Sequence, residues 1–318
     1  MSRTSADNAF TGKSSNAMGD ETTYAGATSM FRRPYSKGVA ESDLIFCGVP
    51  YDLAVTNRPG TRFGPRAIRT SSAQLSWSGG SWPFTVDPFE HLMATDYGDC
   101  EMDFGFPDKI PDEITAHTRH LLSGDGIIVT MGGDHFITYP ILKAFYEKYG
   151  PLSLVHFDAH SDTWREDEER IHHGTMFFHA ARHGLVVPER SVQIGLRTGN
   201  SETHGFNIMD ANFVHQYGVS KVIENALEIV GDRPAYLTFD IDCLDPAFAP
   251  GTGTPVCGGL STYQAQTLVR GLTGIDFKGM DLVEVAPAYD VGEITSLAGA
   301  SIIMNFISLI AEQKKCAG

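Results

Sequence analysis

The sequence predicts an α/β fold in which a mainly parallel sheet lies between layers of helices. Three observations carry this expectation. Short apolar runs alternate with longer amphipathic stretches from residue 44 onward, acidic and imidazole side chains stand at the ends of several of these runs, and nothing within the 318 residues reads as a linker.

Residues 1–40 stand apart. They are rich in Ser, Thr, Gly and Ala with few aliphatics, and read as a flexible N-terminal arm ahead of one domain over 41–318. Leu44-Ile45-Phe46-Cys47-Gly48-Val49 is the first expected strand. A helix is expected over 65–71, after a loop containing Arg58-Pro59-Gly60, and another over 111–122, where Asp112 and Glu113 suit the positive end of the helix dipole. Further strands are expected at 126–131, 152–157, 192–196, 235–240 and 279–285, with helical segments between them. In such βαβ arrays the loops at the carboxyl ends of the strands build the site.

Composition narrows the function. A formal net charge of −15 argues against nucleic acid, which demands a basic face, and leans toward cationic small molecules, although acidic surfaces also serve solubility. The five cysteines are scattered, odd in number and without CxxC spacing, so free thiols in a reducing compartment are expected. No apolar stretch is expected to reach the length of a membrane span. Arg3 and Lys13 are followed by no hydrophobic segment, so no secretory signal is expected.

The chemistry is concentrated in His156-Phe157-Asp158-Ala159-His160-Ser161-Asp162 and in Phe239-Asp240-Ile241-Asp242. Side chains two apart on an extended segment point the same way, so Asp158, His160 and Asp162 converge, as do Asp240 and Asp242. A third contributor follows the apolar run at 127–131, where Gly132-Gly133-Asp134 turns the chain and brings His135 beside the strand ends. Carboxylates at close range raise one another's pKa unless cations neutralise them, so a metal site is expected, with two ions. Oxygen donors with a little imidazole suit Mn²⁺ or Mg²⁺ better than zinc. His156 shares the parity of Asp158 but precedes the strand end, and reads as a core histidine. Cys243 turns away from the Asp240–Asp242 face and reads as packing.

These segments resemble the ureohydrolases, the superfamily of arginase, agmatinase and related guanidino hydrolases. The resemblance rests on 156–162, on Tyr236–Asp242 with the following Leu244-Asp245-Pro246 through Gly251-Thr252-Gly253-Thr254-Pro255, and on Gly279-Met280-Asp281-Leu282-Val283-Glu284-Val285. It runs from about Leu44 to the C-terminus. His173-Gly174-Thr175-Met176-Phe177 and Val192–Thr198 make it most like bacterial agmatinase. The resemblance implies a three-layer, arginase-like α/β/α fold and two Mn²⁺ per subunit. It implies that Asp158 and Asp240 bridge both ions, that His135 and Asp162 complete one shell, and that His160 and Asp242 complete the other. A hydroxide bridging the ions, hydrogen-bonded by Asp162, would attack the guanidinium carbon of agmatine to release urea and putrescine.

Glu284 matches the family's guanidinium-binding glutamate, and a carboxylate can accept the paired N–H donors of a planar guanidinium; an ion pair with an internal Arg is the plainer reading. Thr254 corresponds to a substrate-side threonine, or serves only the turn at 251–255. Spacing leaves His172 and His173 as equal candidates for a proton carrier, and the family's His-Gly pairing selects His173. Charge runs usually face water, and Glu166–Glu169 read first as a solvated loop; the hypothesis beside it is that an acid of this run, with Trp164 and Met176, accommodates the aminobutyl tail. The alternatives are a ureohydrolase for guanidinobutyrate, guanidinopropionate or arginine, for which Arg165 and Arg170 would meet a carboxylate tail, an arginase-fold metal-dependent deacetylase, and a non-catalytic metal-binding protein. The resemblance further implies a cytoplasmic homo-oligomer, trimeric or hexameric, with neither nucleic acid nor membrane as partner.

Overall fold

A computed structural model describes residues 23–76, 79–84, 86–165 and 170–317. In chain order the first half contains β1 (Leu44–Val49), α1 (Gly64–Ser72), α2 (Pro88–His91), β2 (Ala94–Asp99), α3 (Ile110–Leu121), β3 (Ile127–Gly132), α4 (Thr138–Tyr149) and β4 (Ser153–Phe157). The second half contains α5 (Met176–Arg182), β5 (Val192–Ile194), β6 (Asn207–Met209), α6 (Ala211–Val230), β7 (Pro234–Asp240), α7 (Thr262–Gly271), β8 (Asp276–Val283) and α8 (Ile294–Ala317). The strands form one eight-stranded sheet in the order β2-β1-β3-β8-β7-β4-β5-β6. Every neighbouring pair is parallel. The expected α/β/α architecture is present.

The period-2 geometry of a strand divides the apolar runs between the two layers. Phe46, Met131, Phe239 and Leu282 face a core shared with Ile68, Val222, Leu268 and Phe306 of α1, α6, α7 and α8. Ile45, Cys47, Ile128, Tyr236 and Val283 face the opposite core, with Ile114, Ile141 and Phe177 of α3, α4 and α5. Helix ends follow local chemistry. Asp112 and Glu113 occupy the first turn of α3 and Arg119 and His120 its last, as the dipole favours. Ser261 and Gln264 form a reciprocal capping box on α7.

Two strands have no counterpart among the sequence expectations, and both are edges. β6 has three residues, and β2 (Ala-Thr-Asp-Tyr-Gly-Asp) is not an apolar run. Its Asp96 is fully buried nonetheless, because Arg69 of α1 meets both its oxygens at 2.8 and 3.0 Å. Packing also begins before residue 41. Met30 and Phe31 are fully buried, with the Phe31 ring 5.6 Å from Phe46 and 5.7 Å from Phe89. Residues 1–22 of the expected arm, and the acidic run Glu166–Glu169, lie outside the described residues.

One expectation needs correcting. The segment Ile294–Cys316 is long and apolar enough to cross a membrane, with a mean hydropathy of 1.8. It is apolar on nearly all sides because it packs against α1, α2 and α7, and 83% of its most apolar window is buried.

Candidate metal centre

Four adjacent strands at the middle of the sheet, β3, β8, β7 and β4, deliver the expected site residues to one place. At the end of β3, Gly133 N donates to Val49 O at 2.9 Å and Asp134 N donates to Tyr51 O at 2.7 Å. A Cβ on Gly133 would overlap the Tyr51 backbone, so only glycine permits this crossing. His135 follows, fully buried. Beyond β4 come Asp158, His160 and Asp162, and beyond β7 come Asp240 and Asp242.

His135 Nδ1 faces Asp158 Oδ2 at 3.0 Å, Asp162 Oδ2 at 3.0 Å and Asp240 Oδ2 at 3.3 Å. Its Nε2 lies 2.8 Å from Thr238 Oγ1, which donates its own hydrogen to Asp281 Oδ1 at 2.6 Å. Thr238 must therefore accept the Nε2 proton. In the neutral ring this leaves a bare lone pair on Nδ1, aimed at three carboxylate oxygens and without a hydrogen-bond partner among the described residues. Such an arrangement is repulsive unless a cation sits between the donors.

His160 Nδ1 lies 3.3 Å from Asp158 Oδ1 and 3.1 Å from Asp242 Oδ2. Asp158 thus turns one oxygen to each histidine, and it belongs to both clusters of potential ligand atoms: His135, His156, Asp158 and Asp162 in one, Asp158, His160 and Asp242 in the other. The donors fit a binuclear metal site. Asp240 turns Oδ2 toward the first cluster, while its Oδ1 accepts the Asp242 N–H at 2.8 Å.

The protonation of these groups carries the same demand for positive charge. Burial, reinforced by neighbouring carboxylates, raises the pKa of Asp162, Asp240 and Asp242. Burial acts to lower the His135 pKa, but the three carboxylates that its Nδ1 faces, of Asp158, Asp162 and Asp240, lift it well above normal. Asp158 is the exception. Burial works to raise its pKa, and the facing His156, His135 and His160 hold it well below the ordinary range.

His156 is fully buried, and its Nε2 donates to Asp158 Oδ2 at 2.8 Å while Nδ1 accepts from Gln193 Nε2 at 2.9 Å. Both nitrogens are engaged, so it braces a neighbouring carboxylate from within the core. Asp162 and Glu284 both adopt left-handed backbone, with φ of 51° and 64°. For a non-glycine residue that costs about 1–3 kcal/mol each, and such strain gathers at functional sites.

Beside the cluster opens a cavity of about 320 Å³, lined by Thr56, Trp164, His172, His173, Gly174 and Thr254 together with His160, Asp162 and Asp240. Glu284 is 1% exposed. Its Oε1 accepts the His135 backbone N–H at 2.9 Å and the His173 Nδ1–H at 3.2 Å. Its Oε2 is buried without a hydrogen-bond partner among the described residues. Among the described residues no arginine pairs with it. Burial alone would lower the His173 pKa, but the bond and charge of Glu284 outweigh it and raise the value to about 9. Thr254 Oγ1 donates to Asp242 Oδ2 at 3.2 Å, facing the metal cluster rather than Glu284. Met176, expected near the substrate tail, is instead fully buried in the core and does not line the cavity. Its place on α5, next to Phe177, points it into the helix layer. His172 does line the cavity, where its Nδ1 accepts the Gly174 N–H at 3.1 Å.

The profile of the Arginase family matches residues 42–308 of the sequence. The chain belongs to the arginase family. Among arginase-family relatives, an agmatinase of Chromobacterium violaceum is 49% identical over 300 residues, which cover 94% of this chain and 92% of that one. A crystal structure of a hypothetical agmatinase from Burkholderia thailandensis has a TM-score of 0.94 and 50% identity, covering 98% of both chains. Proclavaminate amidino hydrolase from Streptomyces clavuligerus has a TM-score of 0.88 and 35% identity, covering 92% of this chain and all (100%) of that one.

Five further residues surround this arginase-family site that the sequence reading did not single out for it: Thr56, Asp134, Gln193, Thr238 and Asp281. Thr238 carried a signal, since it shares the parity of Asp240 and Asp242. Asp281 stands in the Gly279–Val285 run, but its partners, Tyr236 and Thr138 at 3.0 and 2.8 Å, come from other elements.

Proposed function

We propose that this arginase-family hydrolase acts on the guanidino C–N bond of agmatine, releasing putrescine and urea, with two Mn²⁺ held by His135, Asp158, His160, Asp162, Asp240 and Asp242. The observation that carries the reading is Glu284 Oε2, a buried carboxylate oxygen without a hydrogen-bond partner among the described residues, on a side chain bonded to His135 and to His173 of the cavity wall. A buried, unpaired anionic oxygen is costly, and a guanidinium is the cation whose fork geometry satisfies it.

When bound, the two ions supply a water of lowered pKa as nucleophile and neutralise the clustered carboxylates. The residues of the chain do the rest. Glu284 grips the guanidinium and aligns its carbon over the cluster. Asp162 accepts a hydrogen bond from the attacking water and orients it. His173, protonated at neutral pH by virtue of Glu284, delivers a proton to the departing amine. Atoms balance: agmatine and water become urea and a diamine.

The cavity walls favour a cationic or neutral tail. Among the described residues no Lys or Arg lines the cavity, and Arg165 instead lies over the Phe178 ring, 5.9 Å from its centroid. A carboxylate tail, as in guanidinobutyrate, guanidinopropionate or arginine, would meet neither Lys nor Arg there among the described residues. Trp164 offers an aromatic wall that suits the aminobutyl chain. The acids at 166–169 remain candidates for the distal ammonium. Membership of the arginase family supports a trimeric or hexameric assembly, and five free thiols support a cytoplasmic setting.

The test is urea release from agmatine, arginine, guanidinobutyrate and guanidinopropionate by metal-stripped protein with and without Mn²⁺. Manganese-dependent turnover that favours agmatine is expected. A different preferred guanidine would overturn the substrate, and urea from none of them would overturn the reading.

A further inference from the structure

We propose that Thr56 is a positioning residue for His173, and that the loop over 52–60 exists in its present shape to hold it there. Thr56 Oγ1 lies 2.9 Å from His173 Nε2, while His173 Nδ1 lies 3.2 Å from Glu284 Oε1. The imidazole is gripped at both nitrogens, from opposite sides. A histidine held only by Glu284 could swing about its ring torsion and lose its alignment with the leaving amine. The second contact removes that freedom.

A threonine on a surface loop could not do this unless the loop were itself fixed. Ala54 N donates to Asp134 Oδ2 at 2.9 Å, and Asn57 Nδ2 donates to the Gly253 carbonyl at 2.9 Å. Gly60 N donates to Asp52 Oδ2 at 3.0 Å, and Arg62 pairs with Asp52 as well. Asp134 has no exposed surface, and its Oδ1 caps the turn that starts at His135 by accepting the Phe136 N–H at 3.0 Å. One buried carboxylate therefore ties the loop after β1 to the turn that carries His135. The other tie, at Gly253, adjoins Thr254, which lines the same cavity. Thr56 is delivered by a loop anchored at two separate points, so its contact with His173 is a built feature of the fold.

The inference rests on the reading of His173 as the proton carrier, and the test separates the two. Steady-state urea release by the manganese-loaded protein is measured for Thr56→Val, Thr56→Ser, His173→Asn and the double variant His173→Asn/Thr56→Val. Thr56→Val keeps shape but removes the hydroxyl. It is expected to lower kcat about 10-fold, a fraction of the roughly 10²–10⁴ that general acid catalysis contributes, with KM changed less than about twofold. Because a hydrogen bond to the charged ring is lost, the basic limb of the kcat–pH profile should move down by about 0.5–1 pH unit. Thr56→Ser should recover most of the loss. In the His173→Asn background, Thr56→Val should add little, since the two residues act as a unit. Unchanged kcat and an unmoved limb in Thr56→Val, or a change in KM alone, would overturn the role of Thr56 while His173→Asn still shows its large loss. Full activity in His173→Asn would overturn the reading beneath it.

Discussion

The Thr238 hydroxyl accepts the Nε2 proton of His135 at 2.8 Å, and this contact decides which imidazole nitrogen is free to bind metal. Thr238 can only accept, because its hydrogen is committed to Asp281, which is itself held by Tyr236 and Thr138. Burial raises the Asp281 pKa, while His135 and these three hydroxyl donors work against it and favour the ionised form. A chain of side chains inside the sheet thus fixes a tautomer at the site.

Replacing Thr238 by valine should weaken Mn²⁺ binding at the His135 side by about 10–100-fold, the usual cost of removing a hydrogen-bond partner behind a metal-ligating histidine. Thr238→Ser should lie near the parent. Metal titration by calorimetry checks this, and equal affinity in Thr238→Val would show that the Nε2 contact does not direct the ligand.

Metal affinity should rise with pH. The carboxyl groups of Asp162, Asp240 and Asp242 have pKa values raised by burial and by neighbouring carboxylates, so without metal each gives up its proton at a higher pH than a free carboxyl does. A raised carboxyl contributes stability when protonated and loses it as pH rises through its folded pKa; cations reverse that loss by replacing the protons. The increase in Tm on adding Mn²⁺ to stripped protein is therefore expected to be larger at pH 8 than at pH 5.5, with protons released on binding. An increase independent of pH would contradict this.

His173 gives the opposite experiment. Its folded pKa is about 9 against an ordinary 6.5, so its stabilising pair with Glu284 is fully present below pH 6.5 and disappears as pH rises through 9. At 1.36 kcal/mol per pKa unit this amounts to about 3 kcal/mol at most. Denaturant unfolding of stripped protein should show the difference between the parent and His173→Asn shrinking between pH 6.5 and 9.5. A constant difference would mean that the pair does not titrate in this window.

Glu284→Gln should separate substrate recognition from metal binding. Losing the charge proposed to meet the guanidinium is expected to lower kcat/KM by about 10²–10³-fold, within the range of about 2–5 kcal/mol for truncating a buried charge pair. The variant should still take up two Mn²⁺ per chain. Loss of metal in Glu284→Gln would reassign the residue to holding the His135 turn.

Gly133→Ala should fail to fold or fold with a loss of several kcal/mol, because the new Cβ overlaps the backbone of Tyr51 rather than a side chain that could move aside. Soluble yield and Tm measure this, and a near-normal Tm would show that the β1 and β3 loops part readily.

Much of this site was readable from local pattern. Asp158, His160 and Asp162 alternate along one segment, Asp240 and Asp242 along another, and alternation specifies a common side wherever the backbone is extended. The central strands were equally legible, since strands buried on both faces must be continuously apolar. The edges were not. β2 is held by an Arg69–Asp96 pair between elements 27 residues apart in sequence, and its own composition carries no sign of that partner. α8 illustrates the reverse error: an apolar helix can be buried in protein, and its composition alone does not say against what.

The sequence by itself determined the fold class and the chemical type of the site, because both are written in the periodicity and order of neighbouring residues, and its motifs carried the resemblance that pointed to the family. Only the tertiary structure decided that Asp158 turns one oxygen to each histidine, that Thr254 faces Asp242, that Met176 is core and that Thr56 meets His173. Those relationships join residues as many as 117 positions apart. They depend on how four strands and their loops are placed in space, and distances of that kind leave no trace in local spacing.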